Sequence, residues 1–234
     1  MRTLEIRYHL SGHKGFEYFY QHEVLPGSLK SCFPAAPSCN RFAFKAPGCW
    51  WRLSVTCTGG ACSTALQVCH NRRIHCHPVF SATAKEGQCA VGGCYGFKLF
   101  LVVNGLGQIV QAFVTPANVA DHGPATLKRL FQGLTGLAFA DKGFASQKAF
   151  TPLLEQGLKL ITYIRSNMNN KLLLLQEKML LKKRGMIESV IDIVKSVGNI
   201  EHTRHRSPLN MIVDPYAALC AYSTFERKPS IFVR

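Results

Sequence analysis

Residues 137–144 read Leu-Ala-Phe-Ala-Asp-Lys-Gly-Phe, an apolar run that stops at one carboxylate, with a glycine two residues later. The run is too short for an independent helix, and Gly136 and Gly143 bracket it, so it predicts a buried strand. A buried strand that ends in an acid delivers that acid to the edge of a sheet. Open α/β sheets place their chemistry at the C-terminal ends of such strands. Asp141 is therefore the first candidate catalytic residue.

A second carboxylate answers it. From Lys182 the chain reads Lys-Lys-Arg-Gly-Met-Ile-Glu-Ser-Val-Ile-Asp-Ile-Val-Lys. Arg184, Glu188 and Lys195 are spaced four and seven residues apart, which puts them on one helical stripe. A lone acid flanked by bases suits metal-assisted work on a phosphate chain: the acid holds a divalent cation and the bases hold phosphates. The plainer reading of Glu188 is an exposed helix carboxylate paired with Arg184 or Lys195.

Around these two acids the pattern predicts an α/β fold. Residues 60–70 form a first core strand, and residues 95–115 form a hairpin turning at Asn104-Gly105. A helix over 124–133 starts at Pro124. The Asp141 strand, a helix over 146–156 and a strand over 158–164 follow. Residues 171–197 read as one long helix or two, with Gly185 as a kink, and 208–222 as a closing apolar helix. The order predicts a mixed sheet flanked by helices. Upstream, residues 1–30 read as helical, and 31–59 as irregular, interrupted by Pro34, Pro37 and Pro47.

Lys plus Arg number 28 against 13 Asp plus Glu, a formal charge of +15. An excess of that size points to a polyanion, with nucleic acid first among candidates. The histidine-rich loop His70–His77 contains Arg72 and Arg73. Phosphate contact by these arginines competes with a plain solvated loop, and with a zinc site whose spacing fits no common pattern. Lys98 reads equally as a DNA contact or an edge-strand charge. Asp121 reads as a cap or loop residue ahead of a catalytic one. Ten cysteines are present, nine of them before residue 95, without a Cys-x-x-Cys pair. Charges at Arg2, Glu5 and Arg7 exclude a signal-peptide core in the first ten residues, and no apolar run is long enough to span a membrane. A reducing cytoplasm with free thiols is the default.

The chain resembles DDE transposases of bacterial insertion sequences. Arg184, Glu188 and Lys195 match three positions of their Tyr-Arg-Glu-Lys signature, with Leu181 at the tyrosine position. Further blocks follow in order: Val-Cys-His-Asn-Arg-Arg-Ile-His (68–75), Gly-Phe-Lys-Leu (96–99), Thr-Pro-Ala-Asn-Val (115–119), Ala-Asp-Lys-Gly-Phe (140–144) and Glu-His-Thr-Arg-His-Arg-Ser-Pro (201–208). Together they are similar to insertion-sequence family nine-eight-two.

The resemblance implies a ribonuclease H-like domain over 56–225, behind a helical N-terminal region over 1–55 that is shortened relative to the family. It implies DNA transposition: three carboxylates hold two Mg²⁺ or Mn²⁺ ions for in-line attack on a phosphodiester. Its partners would be element terminal repeats and target DNA, with a homodimer as candidate assembly, no membrane, and a location at the nucleoid. Asp141 and Glu188 would be the metal ligands. The candidate DNA contacts are Arg72, Arg73, Lys98, Lys142, Arg184, Lys195, Arg204 and Arg206. The family's first acid is replaced by Cys62, and no Asp or Glu lies between Glu23 and Glu86. A thiol is a soft ligand, mostly protonated at neutral pH, so it is a poor substitute for a shared Mg²⁺ ligand. Cys39, Cys94 and Phe100 also depart from the family pattern. The expectation is a transposase-family protein with severely reduced cleavage; the alternative is a non-catalytic DNA-binding remnant, and a zinc-binding module comes third.

Overall fold

The structure is a computed structural model that describes residues 10–11, 56–89, 92–163, 174–201 and 205–231. The expectations for the N-terminal region, the irregular stretch before residue 56, the polar break at 167–170 and Arg204 lie outside the described residues.

Among the described residues six strands form one sheet: β1 (Thr56–Cys69), β2 (Lys85–Cys89), β3 (Gly92–Asn104), β4 (Ile109–Pro116), β5 (Thr135–Ala140) and β6 (Leu158–Thr162). From Thr56 on, the α-helices among these residues are α1 (Pro124–Leu130), α2 (Gln147–Glu155), α3 (Leu175–Lys182), α4 (Gly185–Gly198) and α5 (Pro208–Ser223). Strand β3 is central. It pairs antiparallel with β1 on one side, and with β4 and β2 on the other. β1 then pairs in parallel with β5, and β5 with β6. Antiparallel β4-β3-β1 followed by parallel β1-β5-β6 is the ribonuclease H-like order.

Strand alternation divides the core into two layers. Leu66, Phe97, Leu99, Leu101 and Phe139 face α4 and α5, with Leu181 of α3 among them. Ala61, Phe100, Val102, Ala138 and Ala140 face α1 and α2. β3 is buried on both faces from Cys94 to Val103, which explains its nearly continuous apolar run.

The hairpin turns where expected, just after Asn104, and returns at Ile109. Its loop runs from Asn104 to Gln108, the Asn104 side chain accepts from the backbone N–H groups of Leu106 and Gln108, and Gly107 takes the left-handed conformation at φ 76°. Of the two readings of the stretch after residue 171, the described part shows two helices: α3 and α4 are separate, joined at Lys183 and Arg184. Lys98 is not on an edge, because β3 has neighbours on both sides.

Candidate active site

Register positions the first two groups. Ala61 of β1 pairs with Ala140 of β5, so one step along both strands sets Cys62 beside Asp141. By alternation both belong to the face covered by α4. Asp141 caps the short turn Lys142–Phe144, and its Oδ1 accepts the Lys142 backbone N–H at 2.7 Å.

Helix α4 brings the third group. It buries Met186, Ile187, Val190, Ile191 and Val194 against the sheet, and Glu188 stands on the opposite, exposed side. The approach to β1 is close: a Cβ added at Gly60 would lie 1.8 Å from Ile187 Cδ1 and 2.6 Å from the Phe139 ring. A side chain at residue 60 would force Ile187 into another rotamer or lift the helix, so this glycine admits the helix that carries Glu188.

The two carboxylates meet at one guanidinium. Arg184 Nη1 lies 2.6 Å from Asp141 Oδ1, and Nη2 lies 2.8 Å from Glu188 Oε1. All three side chains are partly open to solvent. Partial burial disfavours the charge on Arg184, but the two carboxylates outweigh it and raise its pKa. The Cys62 thiol packs against the same apolar layer. Burial pushes its pKa up to about 11, assisted by the negative charges of Asp141 and Glu188 and opposed by Arg184. Cys62 is therefore a neutral thiol at pH 7. Among the described residues, no group of three or more His, Cys, Asp and Glu side chains is placed to hold a metal ion.

The predicted bases divide. Arg72 and Arg73 lie exposed in the 3₁₀ segment Asn71–Cys76 that follows β1, and Lys142 and Arg206 are exposed as well. Lys195 is paired with Glu201 rather than Glu188. Lys98 is a correction: it is 7% exposed, and its ammonium donates to Asp121 Oδ1 at 2.9 Å and to the Val119 carbonyl at 3.0 Å. It is not presented outward to a polyanion.

Asp121 lies in the loop before α1, as one of its two readings had it, and does not cap the helix, whose N-cap is Gly123. What sequence reasoning missed is its partners. Its second oxygen accepts from Ser63 Oγ at 2.9 Å and lies 3.6 Å from where a Cβ would stand on Gly143. Lys98, Asp121 and Ser63 thus tie β3, the loop after β4 and β1 together on the sheet face opposite Cys62. A cavity of about 680 Å³ opens beside them, lined in part by Asn71, Glu86, Asn118 and His122. The available signal was the single lysine inside the apolar run Phe-Lys-Leu-Phe-Leu, since a charge there needs a buried partner.

A family model described as a transposase DDE domain matches residues 55–208, more than half of the 234 residues. The chain belongs to this DDE transposase family. The matched span runs from the start of β1 to the first residue of α5, so the family's domain coincides with the sheet and the helix that carries Glu188. Among solved structures, the DDE chain is similar to one described as the cryo-EM structure of a piggyBac transposase synaptic complex with hairpin DNA. The sequence identity is 11% and the TM-score 0.45, over 70% of this chain and 45% of that one. The chain thus spans less than half the length of that transposase. No curated protein matches the sequence. Among the described residues no helix is long and apolar enough to cross a membrane.

Proposed function

We propose that this DDE-family chain acts on insertion-sequence DNA of the nine-eight-two type, as a protein that retains two of three acids and has lost most cleavage activity. The observation that carries this reading is the convergence of Asp141 and Glu188 on Arg184, beside a thiol at the first acid's place.

DDE transposase domains generally use divalent metal ions. Asp141 and Glu188 suit one hard divalent cation, because both offer carboxylate oxygens from fixed elements. Cys62 does not suit the ligand that two Mg²⁺ ions would share, being soft and protonated. A divalent ion bound there would supply Lewis-acid polarisation of a scissile phosphate. The remaining work falls to the chain's own groups. Arg184 is a planar fork suited to phosphate oxygens, and Lys142, Arg72, Arg73 and Arg206 are exposed cations able to fix a DNA backbone.

The neutral thiol also favours a second reading, a DNA-binding remnant without cleavage. One experiment separates them: Mg²⁺-dependent cleavage of DNA carrying element terminal repeats, by the chain and by Cys62→Asp, alongside a gel shift. The expected result is binding by both forms, negligible cleavage by the chain, and measurable cleavage by Cys62→Asp. Full activity of the unmodified chain refutes the impairment. A Cys62→Asp form that binds without cutting supports the remnant.

A further inference from the structure

The inference below rests on reading Asp141 and Glu188 as the acids of the site. The Arg184 guanidinium stands between them, one outer nitrogen on each carboxylate, at 2.6 and 2.8 Å. A guanidinium is a permanent cation with its donors in one plane, so it can bridge two acids as an ammonium cannot.

The three partners differ in freedom. Asp141 is fixed by the end of β5 and by the Lys142 N–H. Glu188 is fixed by a helix packed on the sheet through fully buried Ile187 and Val190. Arg184 projects from the joint between α3 and α4 on a long, many-jointed side chain, open to solvent over a third of its surface against 44% for Asp141 and 53% for Glu188. The length of that side chain, rather than greater exposure, gives the guanidinium room to swing away.

A divalent cation using both acids would take an oxygen from each at about 2.0–2.1 Å for Mg²⁺. It would then sit against the guanidinium, and two cations a few ångströms apart repel strongly in a partly desolvated gap. We infer that Arg184 and a divalent cation compete for Asp141 and Glu188, and that a DNA phosphate drawing Arg184 outward opens the acid pair to the cation. A phosphate offers the guanidinium two oxygens on one group, in place of the single oxygen it takes from each carboxylate. Cation and DNA affinities are therefore coupled, each raising the other.

The test is Mn²⁺ binding followed by electron paramagnetic resonance, on the full chain, Arg184→Gln, Asp141→Asn and Arg184→Gln/Asp141→Asn. Each is measured alone and with a short DNA duplex, and Asp141→Asn with the same duplex is the baseline for Mn²⁺ held by DNA itself. Arg184→Gln is expected to tighten Mn²⁺ binding on the order of tenfold, the scale set by removing one competing unit charge at short range. The gain should vanish in the double variant, and DNA should tighten Mn²⁺ binding to the unmodified chain. Asp141-dependent binding that neither Arg184→Gln nor DNA strengthens overturns the competition and leaves the site reading intact. Mn²⁺ binding indifferent to Asp141→Asn in every form overturns the site reading itself. The DNA arm uses the unmodified chain, so it decides the matter even where Arg184→Gln fails to fold.

Discussion

Lys98 carries its charge into the sheet, and Asp121 is the group that makes this tolerable. Lys98 is 7% exposed, and its ammonium meets one carboxylate oxygen and one carbonyl. Removing the carboxylate would leave a buried charge whose remaining partners are weaker. Breaking such a pair from one side is far more damaging than replacing both members. Asp121→Ala should cost about 3 kcal/mol in chemical denaturation, the lower end of the usual range because Asp121 keeps some solvent contact. Lys98→Met/Asp121→Ala should recover a substantial part of that loss. A single variant within about 0.5 kcal/mol of the parent, the range of an ordinary surface substitution, would show that the pair does not hold the strands together. At this scale the sequence disclosed some placements and hid others. The positions of Asp141 at a strand's end and of Glu188 beside Arg184 on a helix were legible, because an acid after an apolar run, and an acid on a basic helical stripe, each have a physical signature. The role of Asp121 was not, because it depends on Ser63 and Lys98, which lie 58 and 23 residues away in the chain.

Helix α4 depends on a space that only glycine leaves. Gly60 sits under Ile187 and beside Phe139, both with no exposed surface. One added methyl has no room unless Ile187 changes rotamer or α4 rises. Overpacking of this kind costs about 1–3 kcal/mol. Gly60→Ala should show that loss in thermal or chemical unfolding. Gly60→Ala/Ile187→Ala should lose less than the sum of the two single variants, since the cavity left at residue 187 receives the new methyl. Strict additivity in this cycle would mean that the two positions do not touch. Most elements were legible from apolar periodicity: the first strand, the hairpin, the short strand ending at Asp141 and the closing helix. The break between α3 and α4 was less so. Lys182, Lys183 and Arg184 are all compatible with helix, and the joint is set by tertiary groups such as Lys183 Nζ donating to the Ile231 carbonyl. The place of the hairpin turn was legible from Asn104-Gly105, but its detail was not: the asparagine side chain caps the loop, and Gly107 takes the left-handed position.

Over the whole molecule the dominant quantity is the +15 formal charge, and its consequence is a binding free energy that depends on salt. Each phosphate neutralised by a lysine or arginine releases counterions, so the logarithm of the DNA affinity falls with the logarithm of salt by about 0.9 per contact. Arg72 and Arg73 are exposed on a short 3₁₀ segment directly after β1, with Asn71 Nδ2 anchoring that segment to the Gly93 carbonyl at 2.7 Å. Two arginines on an anchored segment lose little freedom on meeting a backbone, so they should act as phosphate contacts rather than as diffuse charge. Arg72→Gln/Arg73→Gln should therefore flatten the salt slope by about 1.8, two contacts' worth. It should also weaken binding to unrelated duplexes as much as to element ends, because phosphate contacts carry no sequence information. Equilibrium binding by fluorescence anisotropy over a salt series measures both. A slope that does not move would make the pair part of a solvated loop. Weakening confined to the element ends would mean that they read bases and not the backbone.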